Sequence, residues 1–122
     1  MPVIAIIGAS SDRRKYGNKA LRAFRQQGYA VVPIHPTAAE VEGERAYASV
    51  LDYPGTIDEA TIYVHAESGL QVMADIAAKG IPMVWLNPGA DDPAVVERAR
   101  ALGLRPMIAC SIMAVGELPS RF

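Results

Sequence analysis

The sequence predicts a doubly wound α/β domain built on a five-stranded parallel sheet, and three observations carry that prediction. Short runs that are apolar without a break, led by Val3–Ile7 (VIAII), are what strands buried on both faces require. Between these runs stand segments with apolar residues at helical spacing, three of them closed by a glycine. The chain has 122 residues, 51% of them apolar and 7% aromatic, which suits one core and is too short for two packed domains.

Val3–Ile7 is the first strand. A polar loop follows, and then Ala20, Leu21 and Phe24 mark one side of a helix that Gly28 ends. Tyr29–Ile34 (YAVVPI) is the second strand, stopped by His35-Pro36. Thr37 to about Ile57 holds no long amphipathic pattern, only one short helical turn at Ser49–Tyr53 ahead of Pro54-Gly55. The third strand is Ala60–Val64 (ATIYV), after which Leu70, Met73, Ile76 and Ala77 share a helix face that runs to Gly80. Pro82–Leu86 (PMVWL) is the fourth strand and leads into the turn Asn87-Pro88-Gly89. Asp92-Pro93 then supplies an N-cap with proline at the first helical position. Val95, Ala99 and Leu102 repeat at helical spacing up to Gly103, and Arg105–Ala109 closes the set. Residues 111–122 show no assignable pattern. Alternating strands and helices imply parallel βαβ units, and the right-handed crossover rule leads us to expect the strand order 3-2-1-4-5.

Composition removes several classes of function. Twelve Lys and Arg against thirteen Asp and Glu leave a net charge of -1, which with the apolar content argues against disorder. A single cysteine, Cys110, allows no internal disulfide. The start Met1-Pro2-Val3 lacks the basic region of a secretory signal, and no apolar run approaches the roughly 20 residues of a membrane span. A cytoplasmic location is therefore expected, with no membrane contact. The small net charge hides an asymmetry: residues 1–39 carry six basic side chains against Asp12 alone, and the remainder is net acidic. A positive focus on a mildly acidic protein suits a small anionic ligand better than a nucleic-acid track.

In open parallel sheets the ligand crevice lies beyond the carboxyl ends of the strands, where the strand order reverses. For the expected order that brings together the loops after strands one and four, flanked by those after two and three. The first loop, Gly8–Gly17, contains Ser10, Ser11, Arg13 and Lys15 ahead of a helix N-terminus. Backbone N–H groups and the positive dipole end there favour phosphate. A charge-assisted hydrogen bond contributes about 1.5–3 kcal/mol, so three or four contacts reach roughly micromolar affinity after ordering costs. The GxGxxG fingerprint and the lysine-threonine P-loop are both missing. The second strand ends Pro33-Ile34-His35-Pro36, without the carboxylate that NAD recognition expects. A nucleotide with a phosphorylated ribose fits better, which leaves NADP and coenzyme A.

The pieces Ile6-Ile7-Gly8-Ala9-Ser10, Arg14-Lys15-Tyr16-Gly17, Val32-Pro33-Ile34-His35-Pro36, Glu42-Gly43, Ala46-Tyr47-Ala48-Ser49, Val84–Gly89 and Gly103-Leu104 follow one another in order. Together they resemble the small bacterial and archaeal CoA-binding proteins, which are similar to the N-terminal CoA-binding domain of the succinyl-CoA synthetase alpha subunit. The resemblance implies a Rossmann-like fold with the ADP part of coenzyme A, free or acylated, across the strand ends. It places Ser10, Ser11, Asp12 and Arg13 in the phosphate loop, which Gly8 and Ala9 lead into as further cofactor-binding residues, with Lys15 and Tyr16 beside it. Pro33, Ile34, His35, Pro36, Val64 and His65 would flank adenosine, and Asn87 and Pro88 the diphosphate or pantetheine arm. The sequence departs from the family pattern at His35 and Asn87, where asparagine and often glutamine are usual.

No catalytic or metal-binding residue is expected. Cys110 lacks a sequence neighbour that would lower its pKa, and Ser10 lies in no GxSxG elbow. His35 and His65 lack further clustered ligands. Two functions remain in view: a non-catalytic binder of coenzyme A or acyl-CoA, and a small NADP-dependent oxidoreductase. The partner is then a small nucleotide ligand, with a separate enzyme subunit or further copies of the chain left open.

Overall fold

A computed structural model describes residues 1–122. The element order is β1 (Val3–Ile7), α1 (Tyr16–Gln26), β2 (Ala30–Ile34), β3 (Glu40–Val41), β4 (Glu44–Arg45), a 3-10 turn (Val50–Asp52), β5 (Glu59–Ile62), α2 (Ala66–Lys79), β6 (Met83–Leu86), α3 (Pro93–Ala101), β7 (Arg105–Ile108), α4 (Ser111–Ala114) and a last 3-10 turn (Pro119–Arg121). Five strands form one parallel Rossmann-like sheet, as the periodicity predicts. The local signals act where they stand in the sequence. Asp92 caps α3 by accepting the Ala94 N–H at 2.9 Å, with Pro93 at the first helical position. Ser49 caps the short turn at Val50–Asp52. Gly80 ends α2 in the left-handed region.

The strand order differs from expectation. It is β2-β1-β5-β6-β7, so that among the five expected strands the third lies beside the first. The slot outside β2 belongs to the connection instead: the Tyr47 N–H donates to the Pro33 carbonyl at 3.0 Å, and the His35 N–H to the Tyr47 carbonyl at 2.9 Å. Pro33 explains why. Its missing N–H faces away from β1, on the side where the Tyr47 N–H meets the Pro33 carbonyl, so a full strand cannot pair there and β2 is confined to an edge. Pro106 occupies the other edge strand, β7, for the same reason.

The core has two parts, one on each face of the sheet. On one face α2 and α3 pack, with Val50 and Ile57 taking the place of a longer helix. On the other, α1 packs with Ile112 of α4 and with Val41 and Ala46 of the β3–β4 hairpin. That hairpin turns through Glu42 and Gly43, both at positive φ (52° and 78°). Its strands, of two residues each, are too short to show a period.

Candidate functional site

The observed order moves the reversal point to the gap between β1 and β5. Beyond the carboxyl ends of these two strands lies a cleft of about 450 Å³. Its walls are the loop after β1 (Gly8, Ala9, Ser10), the start of α1 (Lys15, Tyr16, Gly17), His35 after β2, Tyr63–His65 after β5, and Pro88–Ala90 after β6. No carboxylate lines it. Its ionisable side chains are Lys15, His35, His65 and two tyrosines.

Two glycines set its shape. Gly8 has φ +89°, and a side chain there would approach the Tyr63 carbonyl oxygen to 2.9 Å. Gly17 sits in the first turn of α1, where a Cβ would come within 2.1 Å of the Gly8 carbonyl oxygen. Close helix–strand contact, the task of the third glycine in the dinucleotide fingerprint, is thus done by Gly17 at a wider spacing. The N–H groups of Ala9, Ser10, Ser11, Arg13, Tyr16 and Gly17 find no acceptor within the chain. The loop is held from behind by Asn18, fully buried, which donates to the Ser10 carbonyl at 2.8 Å and to Glu42 Oε2 at 3.0 Å.

Of the expected site residues, Gly8, Ala9, Ser10, Lys15, Tyr16, His35, Val64, His65 and Pro88 meet in the cleft. Ser11, Asp12, Arg13, Pro33, Ile34, Pro36 and Asn87 stand outside its wall. Arg13 clamps Glu42 through two hydrogen bonds, 2.8 and 3.1 Å, and Arg14 does the same to Asp12 at 3.0 Å. Arg22 bonds Asn18 at 2.7 Å and Arg25 bonds Glu44 at 2.9 Å. Most of the basic focus read from the sequence is therefore spent on fastening the hairpin and loop to α1. Lys15 is the lysine or arginine that remains on the cleft. His35 Nδ1 accepts from the Thr37 and Ala38 N–H groups at 3.1 and 2.9 Å, so its N–H donor is Nε2.

Asn87 is a buried tie. Its amide donates to Thr61 Oγ1 (2.7 Å) and to the Ile62 carbonyl (2.9 Å), and accepts the Ser111 N–H at 2.8 Å. Ser111 in turn reaches Thr61 at 2.8 Å and the Tyr63 hydroxyl at 3.1 Å. Burial pushes the Tyr63 hydroxyl up to about 12, while its hydrogen bonds to Ser111 and Thr61 pull the other way. Gly17, Tyr63, Gly89 and Ala90 are the cleft residues that the sequence does not mark as site residues. Tyr63 reads as strand interior, but β5 stops at Ile62 and leaves it at the mouth. Gly17 needed only the observation that a glycine in a first helical turn marks close packing. Cys110 is half-buried at the start of α4 and outside the cleft wall.

The Arg13 side chain, followed by Asn18, draws the Glu42 carboxyl from its ordinary 4.5 to about 2. A lowered folded-state pKa means stability that is complete above the unfolded value and is lost as pH falls through the folded one. The thermal midpoint is therefore expected to fall between about pH 4.5 and pH 2. Asp12, drawn to about 2 by Arg14, contributes in the same direction. Glu42→Gln should flatten this decline, measured by melting across pH; an unchanged pH profile contradicts the clamp.

Comparison with known proteins places the geometry in context. A family model described as a CoA binding domain matches residues 2–116. The alpha subunit of ADP-forming acetate–CoA ligase II from Pyrococcus furiosus is 37% identical over 79 residues, which cover 64% of this chain and 17% of that subunit. The chain thus corresponds to a small part of that ligase subunit. A hypothetical protein from Pyrococcus horikoshii OT3 superposes with a TM-score of 0.86 at 27% identity, covering 92% of this chain and 79% of that one. The dinucleotide-forming acetyl-coenzyme A synthetase 1 of Ca. Korarchaeum cryptofilum, in complex with phosphate and ADP, superposes with a TM-score of 0.77 at 32% identity, covering 88% and 25%.

Proposed function

The chain belongs to the CoA-binding domain family, and from that premise we propose that the cleft between β1 and β5 binds the ADP part of coenzyme A or an acyl-CoA without reacting with it. One observation carries the reading: a carboxylate-free cleft at the sheet's reversal point, with Lys15 on its wall and a row of unpaired backbone N–H groups in the loop beside it. Such N–H groups at a loop and helix start suit phosphate oxygens, and Lys15 adds a point charge. His35 offers Nε2–H at the tip of β2, where NAD recognition would require an acid. Nothing on the cleft wall pairs a nucleophile with a base, so the role is holding and presenting the ligand. Any ligase-like reaction would be done by a separate enzyme subunit that receives it.

Calorimetry with coenzyme A, dephospho-coenzyme A, NADP and NAD tests this. Coenzyme A is expected to bind tightest and to lose affinity without its 3′-phosphate. Lys15→Ala should weaken binding by about 1–3 kcal/mol, the scale of one charge-assisted bond. Arg13→Ala, whose guanidinium is already committed to Glu42, should change it by less than about 1 kcal/mol. NADP binding more tightly than coenzyme A would favour a small oxidoreductase instead.

A further inference from the structure

The free edge of the sheet carries an inference that is independent of the ligand. Among the five strands β7 alone has no buried residue, whereas each of the others has at least two. It packs mainly on β6 and α3, and no strand pairs with its outer side. The Arg105 N–H donates to the Pro82 carbonyl, toward β6. N–H and C=O of one residue point to the same side of a strand and alternate along it. The peptide groups of Pro106 and Ile108 therefore face outward, and neither finds a partner in the chain. Ile108 is 53% exposed, and on the opposite face Trp85 and Met107 stand side by side, only half-buried. A parallel sheet ordinarily has both faces covered.

We propose that β7 pairs antiparallel with β7 of a second copy about a two-fold axis at Met107, making one sheet continuous across both copies. In that register the Ile108 N–H of each copy donates to the Pro106 carbonyl of the other. The edge is thus self-complementary, as an isologous contact must be. Beyond these two bonds the strands must diverge, because the Pro106 ring stands where an N–H would meet the Ile108 carbonyl of the other copy. No like charges meet, because Arg105 falls opposite Ala109 of the second copy. Ile108 packs on the proline of the other copy, and the two Met107 side chains meet beside Trp85. The opposite edge, β2, is closed to the same arrangement by Tyr47.

The axis at Met107 makes a sharp test. A non-hydrogen-bonded antiparallel pair has Cα atoms about 4.5 Å apart, within the about 4.4–6.8 Å that a disulfide spans. In a Cys110→Ser background, Met107→Cys is expected to cross-link into dimers under dilute oxidation at least about tenfold faster than Leu51→Cys, an exposed control elsewhere. Equal rates overturn the proposal. By sedimentation equilibrium the unmodified chain should rise towards twice its monomer mass as concentration increases; a monomer at millimolar concentration also overturns it. Ile108→Pro removes an N–H that the monomer does not use, and should lower the association constant at least about tenfold with an unchanged melting midpoint. Ile108→Lys should do the same through charge at the contact. Association unaffected by both variants would assign any dimer to another surface.

Discussion

Gly17→Ala is expected to abolish coenzyme A binding and to destabilise the fold by more than about 3 kcal/mol, a loss outside the ordinary range for one substitution. Helix propensity alone predicts the opposite sign, since alanine is better than glycine in a helix by about 1 kcal/mol. The contact decides. The new Cβ would stand 2.1 Å from the Gly8 carbonyl oxygen, a backbone atom that moves only if α1 or the loop moves. Either displacement carries away Lys15 and the free N–H groups beside the cleft. Gly69→Ala in α2 is the matched control, because its Cβ would meet the Val95 side chain at 3.3 Å, which can yield by a few tenths of an ångström. Denaturant unfolding and calorimetry on both variants should separate them. A Gly17→Ala protein with unchanged stability and affinity would show that the loop takes another course.

The second large effect is expected at Asn87. Truncation to alanine leaves Thr61 Oγ1, the Ile62 carbonyl and the Ser111 N–H without their partner at a place that is 1% exposed. An unsatisfied buried group costs about 1–3 kcal/mol. Allowing for relaxation between Thr61 and Ser111, which bond each other, Asn87→Ala should lose about 3–5 kcal/mol in denaturant unfolding. The loss should exceed that for Arg13→Ala several-fold, because the Arg13 side chain is 64% exposed and water replaces its partner. A loss below about 1 kcal/mol would show that the amide does not tie the three segments together.

These two positions also mark how far a sequence can be read. Asn87 stands in a recognisable turn after a strand, which suggests ligand contact. That its amide is consumed by Thr61 and Ser111, 26 and 24 residues away, follows only from the approach of β5 and α4. Arg13 reads as an anion-binding side chain because its local company is basic. Its actual neutraliser, Glu42, lies 29 residues on, in a hairpin without any periodic signal. Strand order was legible in principle, since Pro33 and Pro106 each mark an edge. The crossover rule alone does not use that information, and it led to the wrong neighbour for β1.

By itself, the amino-acid order determined the sheet of five parallel strands, the helix stops at Gly28 and Gly80, the cap at Asp92, and a glycine-led loop at the mouth of the sheet. These depend on periodicity, φ preferences and capping, all of which act within a few residues. Only the tertiary structure decided which strand adjoins β1, and so where the cleft opens and which cation faces it. Hydrogen-bond partners and charge neutralisation are settled between segments far apart in the chain, and a side chain already bonded in the fold is withdrawn from the ligand.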